Sequence, residues 1–169
     1  MSIQSTDYQK SNYGVMKAMG AKAISSDASL QIDGFETMWM LCKQFPHPVV
    51  GISSEIEIPG PNGSVMYQPA QIKTNWSGPA TFSETEAGHV EGFLLDLIAS
   101  GGTFSGWIYE GTPDRYSARR RILDAFFQPD SPDRDWENRT QVLNISGTMF
   151  YHYFGQVEPG NVEALTAVF

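Results

Sequence analysis

The chain has 169 residues, with 11 Lys and Arg against 19 Asp and Glu, and therefore a formal net charge of -8. Its hydrophobic residues (41%) and aromatic residues (12%) suffice for one core and argue against a disordered chain. The acidic charge argues against a free-standing nucleic-acid-binding domain, and the single cysteine, Cys42, rules out a disulfide-stapled scaffold.

The first quarter of the chain divides into a polar arm and an apolar segment. Residues 1–29 are small and polar, which predicts an extended arm outside the hydrophobic core. Residues 30–43 are apolar on both sides of Asp33-Gly34, a dipeptide that favours the positive φ angles of a type I′ turn. This segment therefore predicts a β-hairpin that ends before Pro46.

Two further strands are predicted in residues 49–76. Apolar and polar side chains alternate from residue 49 to residue 58, which is the pattern of a strand with one buried face. The cluster of Pro, Asn and Gly at residues 59–63 predicts a turn. A weaker strand pattern follows at residues 65–76, and Gly78-Pro79 predicts its end.

One amphipathic helix is predicted at about residues 84–100. Ser83 and Glu86 have the spacing of a capping box at its start, and Gly101-Gly102 predicts its end. Its apolar residues recur at helical spacing and form one stripe: Val90, Phe93, Leu94, Leu97 and Ile98.

The C-terminal half predicts β structure. Strands are expected at residues 103–109 and 116–127, followed by a polar loop at 128–138, a long strand at 141–153 and a short tail at 156–169. The chain is therefore expected to be mainly β (α+β), with about seven strands and one flanking α-helix. One face of the long strand carries its apolar side chains: Leu143, Ile145, Met149, Tyr151 and Tyr153.

The sequence gives little support for catalysis. The nucleotide-binding, zinc-protease and serine-hydrolase motifs are absent from it. The three histidines, His47, His89 and His152, are far apart, so they are expected to be ordinary histidines, not metal ligands. Cys42 is expected to be a small core residue, because a lone cysteine in an apolar strand is seldom a nucleophile. No enzyme activity, no metal and no cofactor are therefore predicted, and the lack of a long apolar run predicts no transmembrane helix.

What remains is a surface suited to contacts with other proteins. In a strand, Arg119 and Arg121 share one face and Arg120 points to the other. A groove for phosphate is one reading of these arginines, but the net charge favours pairing with acidic residues of a neighbouring subunit. Aromatic residues and arginine are enriched in protein interfaces. The candidate inter-subunit contacts are Trp39, Arg119, Arg120, Arg121 and Trp136.

Four segments occur in an order that resembles a known family. They are Met-Leu-Cys-Lys-Gln-Phe-Pro at 40–46, Gly-Pro-Ala-Thr-Phe-Ser-Glu at 78–84, Asp-Ala-Phe-Phe-Gln-Pro at 124–129 and Phe-Tyr-His-Tyr-Phe at 150–154. The order is similar to that of the tail tube proteins of contractile-tailed bacteriophages, the T-even-type tube. Tubes of type VI secretion systems and contractile bacteriocins are their relatives. The resemblance covers about residues 30–155, which we take as one domain between the arm and the tail.

The resemblance implies a small β-barrel or sandwich that closes with five further copies into a hexameric ring. Stacked rings would form a tube inside a contractile sheath, and the tube would conduct double-stranded DNA into the host without binding it specifically. The implied partners are other copies, the sheath protein, and baseplate and tail-terminator proteins, with no membrane. The implied location is the virion, after assembly in the host cytoplasm. An acidic lumen is also implied, and the charge of -8 agrees with it.

The resemblance leaves the finer role open. The arm and the loops at 59–63 and 128–134 are expected to make ring-to-ring contacts, and the helix exterior is expected to face the sheath. One alternative is a tube initiator at the baseplate or a tail terminator, which would share the fold. A more distant alternative is a soluble β-barrel that binds a small ligand, or an enzyme on such a barrel, which predicts a monomer with a closed apolar cavity.

Overall fold

The computed structural model describes residues 5–162, which form eleven strands, two α-helices and two short 3₁₀-helices. The α-helices are α1 (Thr6–Ala18) and α2 (His89–Ala99), and the 3₁₀-helices are Glu36–Met40 and Pro61–Gly63. The strands are β1 (Ser29–Ile32), β2 (Cys42–Gln44), β3 (Gly51–Ile52), β4 (Glu55–Pro59), β5 (Val65–Pro69), β6 (Ile72–Lys73), β7 (Asn75–Ser83), β8 (Phe104–Gly111), β9 (Tyr116–Pro129), β10 (Asn144–His152) and β11 (Val157–Pro159).

Seven strands form one antiparallel sheet in the order β1-β8-β9-β10-β7-β2, with β11 also paired to β9. One edge of β9 pairs with β8, and the other edge pairs first with β11 and then with β10. At the change of partner the ladders shift register, and Asp124 has a φ of 45°. The sheet therefore consists of two layers that share β9. The first layer contains β1, β8 and β11, and the second contains β10, β7 and β2.

One hydrophobic core joins the two layers and helix α2. Leu30, Ile108 and Ile122 come from the first layer, and Phe82 and Met149 come from the second. The apolar stripe of α2 covers them with Val90, Phe93 and Leu97, all buried, while Ile98 is exposed. On the face predicted for the long strand, Ile145, Met149, Tyr151 and Tyr153 are buried as expected, and Leu143 is half-buried. The strand itself is shorter than predicted, at Asn144–His152. The expected mainly β (α+β) class is also confirmed.

The predicted start of α2 was wrong. Ser83 is the last residue of β7, where it pairs with Asn144, so it cannot cap a helix. The helix begins at His89, five residues later than expected. The carboxylate of Glu84 caps it instead, accepting hydrogen bonds from the N–H groups of Val90 (3.0 Å) and Glu91 (2.9 Å). Burial raises the pKa of Glu84, but the N–H groups of Val90, Thr85 and Glu91 outweigh it and hold that pKa below its ordinary value.

Glu84→Gln is expected to lower the free energy of unfolding by about 1 kcal/mol, as the loss of a helix cap does. A folded-state pKa below the ordinary 4.5 means that the carboxylate stabilises the fold above that pH. The difference between parent and variant should therefore shrink as the pH falls through the lowered pKa, in urea titrations at several pH values. Glu86→Gln at the exposed neighbouring site is the matched control, and an equal loss there would contradict the capping role.

The N-terminal arm and the first hairpin were also predicted incorrectly. The arm is helical at Thr6–Ala18, because the side chain of Ser5 accepts a hydrogen bond from the N–H of Tyr8 and the charges of Asp7 and Lys17 suit the helix dipole. The turn after Ile32 exists, but no hairpin forms there. β1 pairs with β8, and the chain then crosses through a 3₁₀-helix to β2, which pairs with β7.

Three further strand boundaries differ from the predictions. The expected strand at 49–58 is two short strands, β3 and β4, which pair with β6 and β5. Gly78-Pro79 does not end a strand but lies within β7. Proline is tolerated there because β2 reaches only Thr81 and Phe82, which leaves β7 outermost at Pro79. The predicted tail contains β11, and its residues 163–169 lie outside the described range.

Candidate assembly surfaces

The outer face of the first layer carries a cluster of arginines around one tryptophan. The guanidinium of Arg119 lies 4.0 Å from the ring centre of Trp107, and that of Arg121 lies 5.1 Å from it. Arg119 also contacts Glu158 (Nη2 to Oε2, 2.6 Å), and Arg121 contacts Asp33 (Nη2 to Oδ2, 2.6 Å). The hydrogen bond from Arg119 to Glu158 raises the pKa of Arg119, so this guanidinium stays charged. We call these five residues the Arg–Trp face.

Arg120 points to the opposite side of β9, as the strand alternation predicted. Its Nη1 lies 2.5 Å from Oε1 of Glu110, and Nδ1 of His47 lies 4.0 Å from the same oxygen. The pairing of the arginines with acidic residues of a neighbouring subunit stays a prediction. All three have acidic partners in their own chain, supplied by β11, β8 and the turn after β1. The role of the arginines as inter-subunit contacts stays a prediction.

The outer face of the second layer has a different composition. Cross-strand pairing brings together the outward side chains of β7, β10 and the end of β9. Among these twelve residues there is no Asp, Glu, Lys or Arg, and Asp124 lies at the bulge beside them. We call this set the neutral face; its members are Asn75, Ser77, Pro79, Thr81, Ser83, Phe126, Gln128, Asn144, Ser146, Thr148, Phe150 and His152.

Three segments project apolar side chains into solvent. None of the residues of α1 is buried, and Met19 at its end is 71% exposed. Tyr67 of the β4–β5 hairpin is also 71% exposed, and Trp136 of the loop before β10 is 86% exposed. A short helix and a two-stranded hairpin are marginally stable alone. Exposed apolar groups of this kind are typical of surfaces that contact other proteins. Trp39, by contrast, is half-buried in its 3₁₀-helix.

Cys42 is partly buried and is not activated as a nucleophile. Burial raises the pKa of the Cys42 thiol to about 12, so the thiol is protonated at neutral pH and is a poor nucleophile. Within residues 5–162, no three His, Cys, Asp or Glu side chains lie close enough together to hold a metal ion. The core between the layers is filled by packed rings. Phe82 lies 5.4 Å from Phe127 and 6.1 Å from Phe93 between ring centres.

Sequence reasoning missed the partners of the arginines. The pairing of β9 with β8 and β11 brings Trp107, Glu110 and Glu158 to the arginines, and the pairing of β1 with β8 brings Asp33 there. The alternation of polar and apolar residues in β8 is a signal of which side chains share a face, but it does not identify the neighbouring strand. No helix in the described part of the chain is long and apolar enough to cross a membrane.

Comparison with solved structures finds components of contractile injection systems. A chain of the PVC sheath–tube complex, an extracellular contractile injection system in its extended state, has a TM-score of 0.57 and 11% identity, covering 86% of this chain and 97% of its own. A chain of the tube-terminating cap of the anti-feeding prophage has a TM-score of 0.54 and 11% identity, covering 82% and 92%. A chain of the six-fold symmetrised baseplate of the anti-feeding prophage has a TM-score of 0.51 and 13% identity, covering 85% and 100%.

No protein-family model and no curated protein matches the sequence. The structural matches extend over most of this chain and nearly all of each neighbour, so they concern the whole fold. At identities of 11–13% they show the fold alone. The chain therefore has a tail-tube-like fold, as the resemblance in its sequence implied.

Proposed function

We propose that the chain is a structural subunit of the tube of a contractile particle, and that six copies close into a ring that stacks into the tube. The observation that carries this proposal is the match of nearly the whole fold to chains of a sheath–tube complex, a tube-terminating cap and a baseplate. One of these assemblies, the baseplate of the anti-feeding prophage, is six-fold symmetrised, which supports the number six.

The surfaces of the monomer supply the contacts that such a ring requires. The sheet ends in the short strands β1 and β2, whose free backbone groups can pair with a strand of another copy. A head-to-tail contact of this kind repeats until the ring closes. Trp39, Trp136 and the arginines of β9 remain the candidate side chains for these contacts. Helix α1 and the exposed loops are then available to touch the next ring.

In this role the tube would conduct double-stranded DNA within a phage-tail-like particle. The sheath protein would surround it, with baseplate and terminator proteins at its two ends. Leu95 and Ile98 on α2 are 62% and 73% exposed and form a candidate sheath-facing surface. The role is structural and requires no catalytic group.

A terminator or a tube initiator is the second candidate, because chains of the cap and the baseplate share the fold to a similar degree, with TM-scores of 0.54 and 0.51. Copy number separates the candidates. Quantitative mass spectrometry of purified particles should find a tube subunit in large excess over baseplate components. A stoichiometry equal to that of one ring would favour the terminator or initiator.

The proposed assembly is tested with the purified parent protein and with two variants, each of which replaces one exposed apolar residue. Negative-stain microscopy of the parent chain at high concentration should show rings or tubes. Trp136→Ser should reduce the fraction of assembled protein at least about tenfold, if the Trp136 side chain is an interface anchor worth about 2 kcal/mol. Its melting temperature should stay unchanged, because Trp136 is 86% exposed in the monomer.

Leu95→Ser is the matched control for this experiment. It replaces another exposed apolar residue, 62% exposed, on the side proposed to face the sheath. Rings should therefore form as in the parent when no sheath protein is present. A parent chain that stays monomeric at high concentration would overturn the proposed function, and equal losses in both variants would remove Trp136 from the interface.

A further inference from the structure

We infer that the neutral face lines the channel of the assembled ring and gives the channel a wall without fixed charge at neutral pH. This inference rests on the proposed function, since it requires a ring with a channel. It specifies which residues form the channel wall, and it specifies the class of cargo that suits this wall, namely polymers of either charge sign.

The composition of the neutral face departs from that of the chain. At the chain's charged fraction of 18%, twelve residues would contain about two charged side chains, and exposed strand positions usually contain more. The neutral face contains none, although Asn75, Ser77, Gln128 and Ser146 on it are exposed. Solubility favours charged side chains on exposed surface. The absence of charge from the exposed neutral face therefore calls for another explanation.

The side chains of the neutral face bond to one another. Oγ1 of Thr81 donates to Oγ of Ser146 (3.2 Å), and Oγ of Ser83 donates to Oδ1 of Asn144 (3.2 Å). Oγ1 of Thr81 also lies 3.4 Å from Oε1 of Gln44 on β2. These cross-strand contacts hold short polar groups close to the sheet, and their hydrogen-bonding capacity is partly used. The result is a polar surface across β2, β7 and β10, and Phe126 and Phe150 stack on each other at the β9 side of the face.

The two outer faces of the sheet suit different neighbours. Interface cores are enriched in aromatic residues and arginine and depleted in serine. The Arg–Trp face, with Trp107 between Arg119 and Arg121, fits contact with protein. The neutral face has five hydroxyl and three amide side chains against one aromatic pair, Phe126 and Phe150, and no arginine, which fits contact with water. When copies join through the edges of the sheet, one face of the sheet points toward the axis of the ring. Because the neutral face has the composition of a surface in contact with water, we assign it to the channel.

A wall without charge has a clear consequence for transport. Basic walls bind phosphates tightly, since phosphate contacts dominate the affinity of proteins for DNA. Acidic walls bind basic polypeptides in the same way. A neutral wall does neither, so cargo of either sign slides along it. The acidic lumen implied by the sequence resemblance is replaced by this inference, because the twelve residues of the neutral face include no carboxylate. Asp124 at the bulge and Asp130, whose N–H donates to the carbonyl oxygen of Ser146, lie at its margin.

The experiment measures the accessibility and the electric potential at one position of the wall. Ser146→Cys is introduced together with Cys42→Ala and assembled into tubes. Three thiol reagents are compared: a cationic and an anionic methanethiosulfonate of equal size, and a maleimide on a long polyethylene-glycol chain. Leu95→Cys in the same background is the control on the proposed outer surface, and Ser77→Cys replaces Ser146→Cys if that variant does not fold.

A channel position should react with both small reagents in intact tubes, while the bulky maleimide should react only after the tubes are dissociated. The Leu95→Cys control should react with all three. The ratio of cationic to anionic rates at Ser146→Cys should lie within about twofold of the ratio for a small free thiol, because no local potential biases it. A cationic preference of about tenfold or more, equal to about 1.4 kcal/mol, would overturn the neutral wall.

The other outcomes separate this inference from the proposed function. If tubes form and the bulky maleimide reacts at Ser146→Cys as fast as at Leu95→Cys, the neutral face lies outside and the inference is wrong. If tubes form and no reagent reacts, the face is buried in an interface and the inference is also wrong. If the parent chain forms no rings or tubes, the proposed function fails, and the inference fails with it.

Discussion

Gly147→Ala is expected to lower the free energy of unfolding by about 3 kcal/mol or more, the upper part of the range for overpacked interiors. Gly147 lies in β10 opposite Pro129 of β9 and Ala80 of β7. A Cβ atom there would lie 2.1 Å from the carbonyl oxygen of Gln128 and 2.7 Å from the Cα of Pro129. Both contacts are with backbone, so a strand would have to move to make room.

Gly92→Ala is the matched control, because it is the same substitution without the crowding. Gly92 lies inside α2, and a Cβ atom there would meet nothing within 4 Å. Alanine favours a helix over glycine by up to about 1 kcal/mol, so this variant should be more stable than the parent. Urea unfolding of both variants measures the two effects. A Gly147→Ala protein as stable as the parent would show that β9 and β10 are further apart than the structure has them.

Phe82→Ala is expected to cost about 3–5 kcal/mol, the usual loss for a buried aromatic side chain. Phe82 is fully buried, and its ring contacts Phe127 in an edge-to-face arrangement at 5.4 Å and Phe93 at 6.1 Å. These contacts join β7 to the end of β9 and to helix α2. The substitution should therefore loosen the whole core, and thermal unfolding should show a large decrease of the melting temperature.

Phe126→Ala tests whether that loss depends on burial. Phe126 is next to Phe127 in sequence but points outward, is 42% exposed, and stacks only on Phe150 at 4.9 Å. Its removal should cost about 1 kcal/mol, the size of an exposed aromatic pair. Similar losses for Phe82→Ala and Phe126→Ala would indicate that the register of β7 or β9 is wrong, because a shift by one residue exchanges their faces.

Periodicity predicted the parts of the fold that depend on burial. The alternation in β10 identified its core face, and the apolar stripe of α2 identified Val90, Phe93 and Leu97 as core residues. These predictions succeed because the same repeat that forms the element also selects its buried side. The alternation of Arg119, Arg120 and Arg121 succeeded for the same reason.

The errors occurred where distant segments decide the local structure. Ser83 and Glu86 have the spacing of a helix start, but pairing with Asn144 keeps Ser83 in a strand and moves the capping role to Glu84. Asp33-Gly34 makes a turn, but β1 pairs with β8 and not with the residues that follow the turn, so no hairpin forms. The acidic partners of the arginines within the chain were not foreseen, because the sequence does not reveal that β11 lies beside Arg119.

The shared strand β9 affects how the subunit withstands mechanical load. Its 14 residues run without a break through both layers, so the layers are connected by peptide bonds as well as by side-chain packing. A tensile force applied between a strand of the first layer, β1 or β8, and a strand of the second layer, β10 or β7, is transmitted along the covalent backbone of β9. Separating the layers would require the hydrogen bonds along one side of β9 to break together, in shear, which is far harder than opening them one at a time. In the proposed ring, each subunit should therefore move under tension as one stiff piece, and slippage should begin at the contacts between copies.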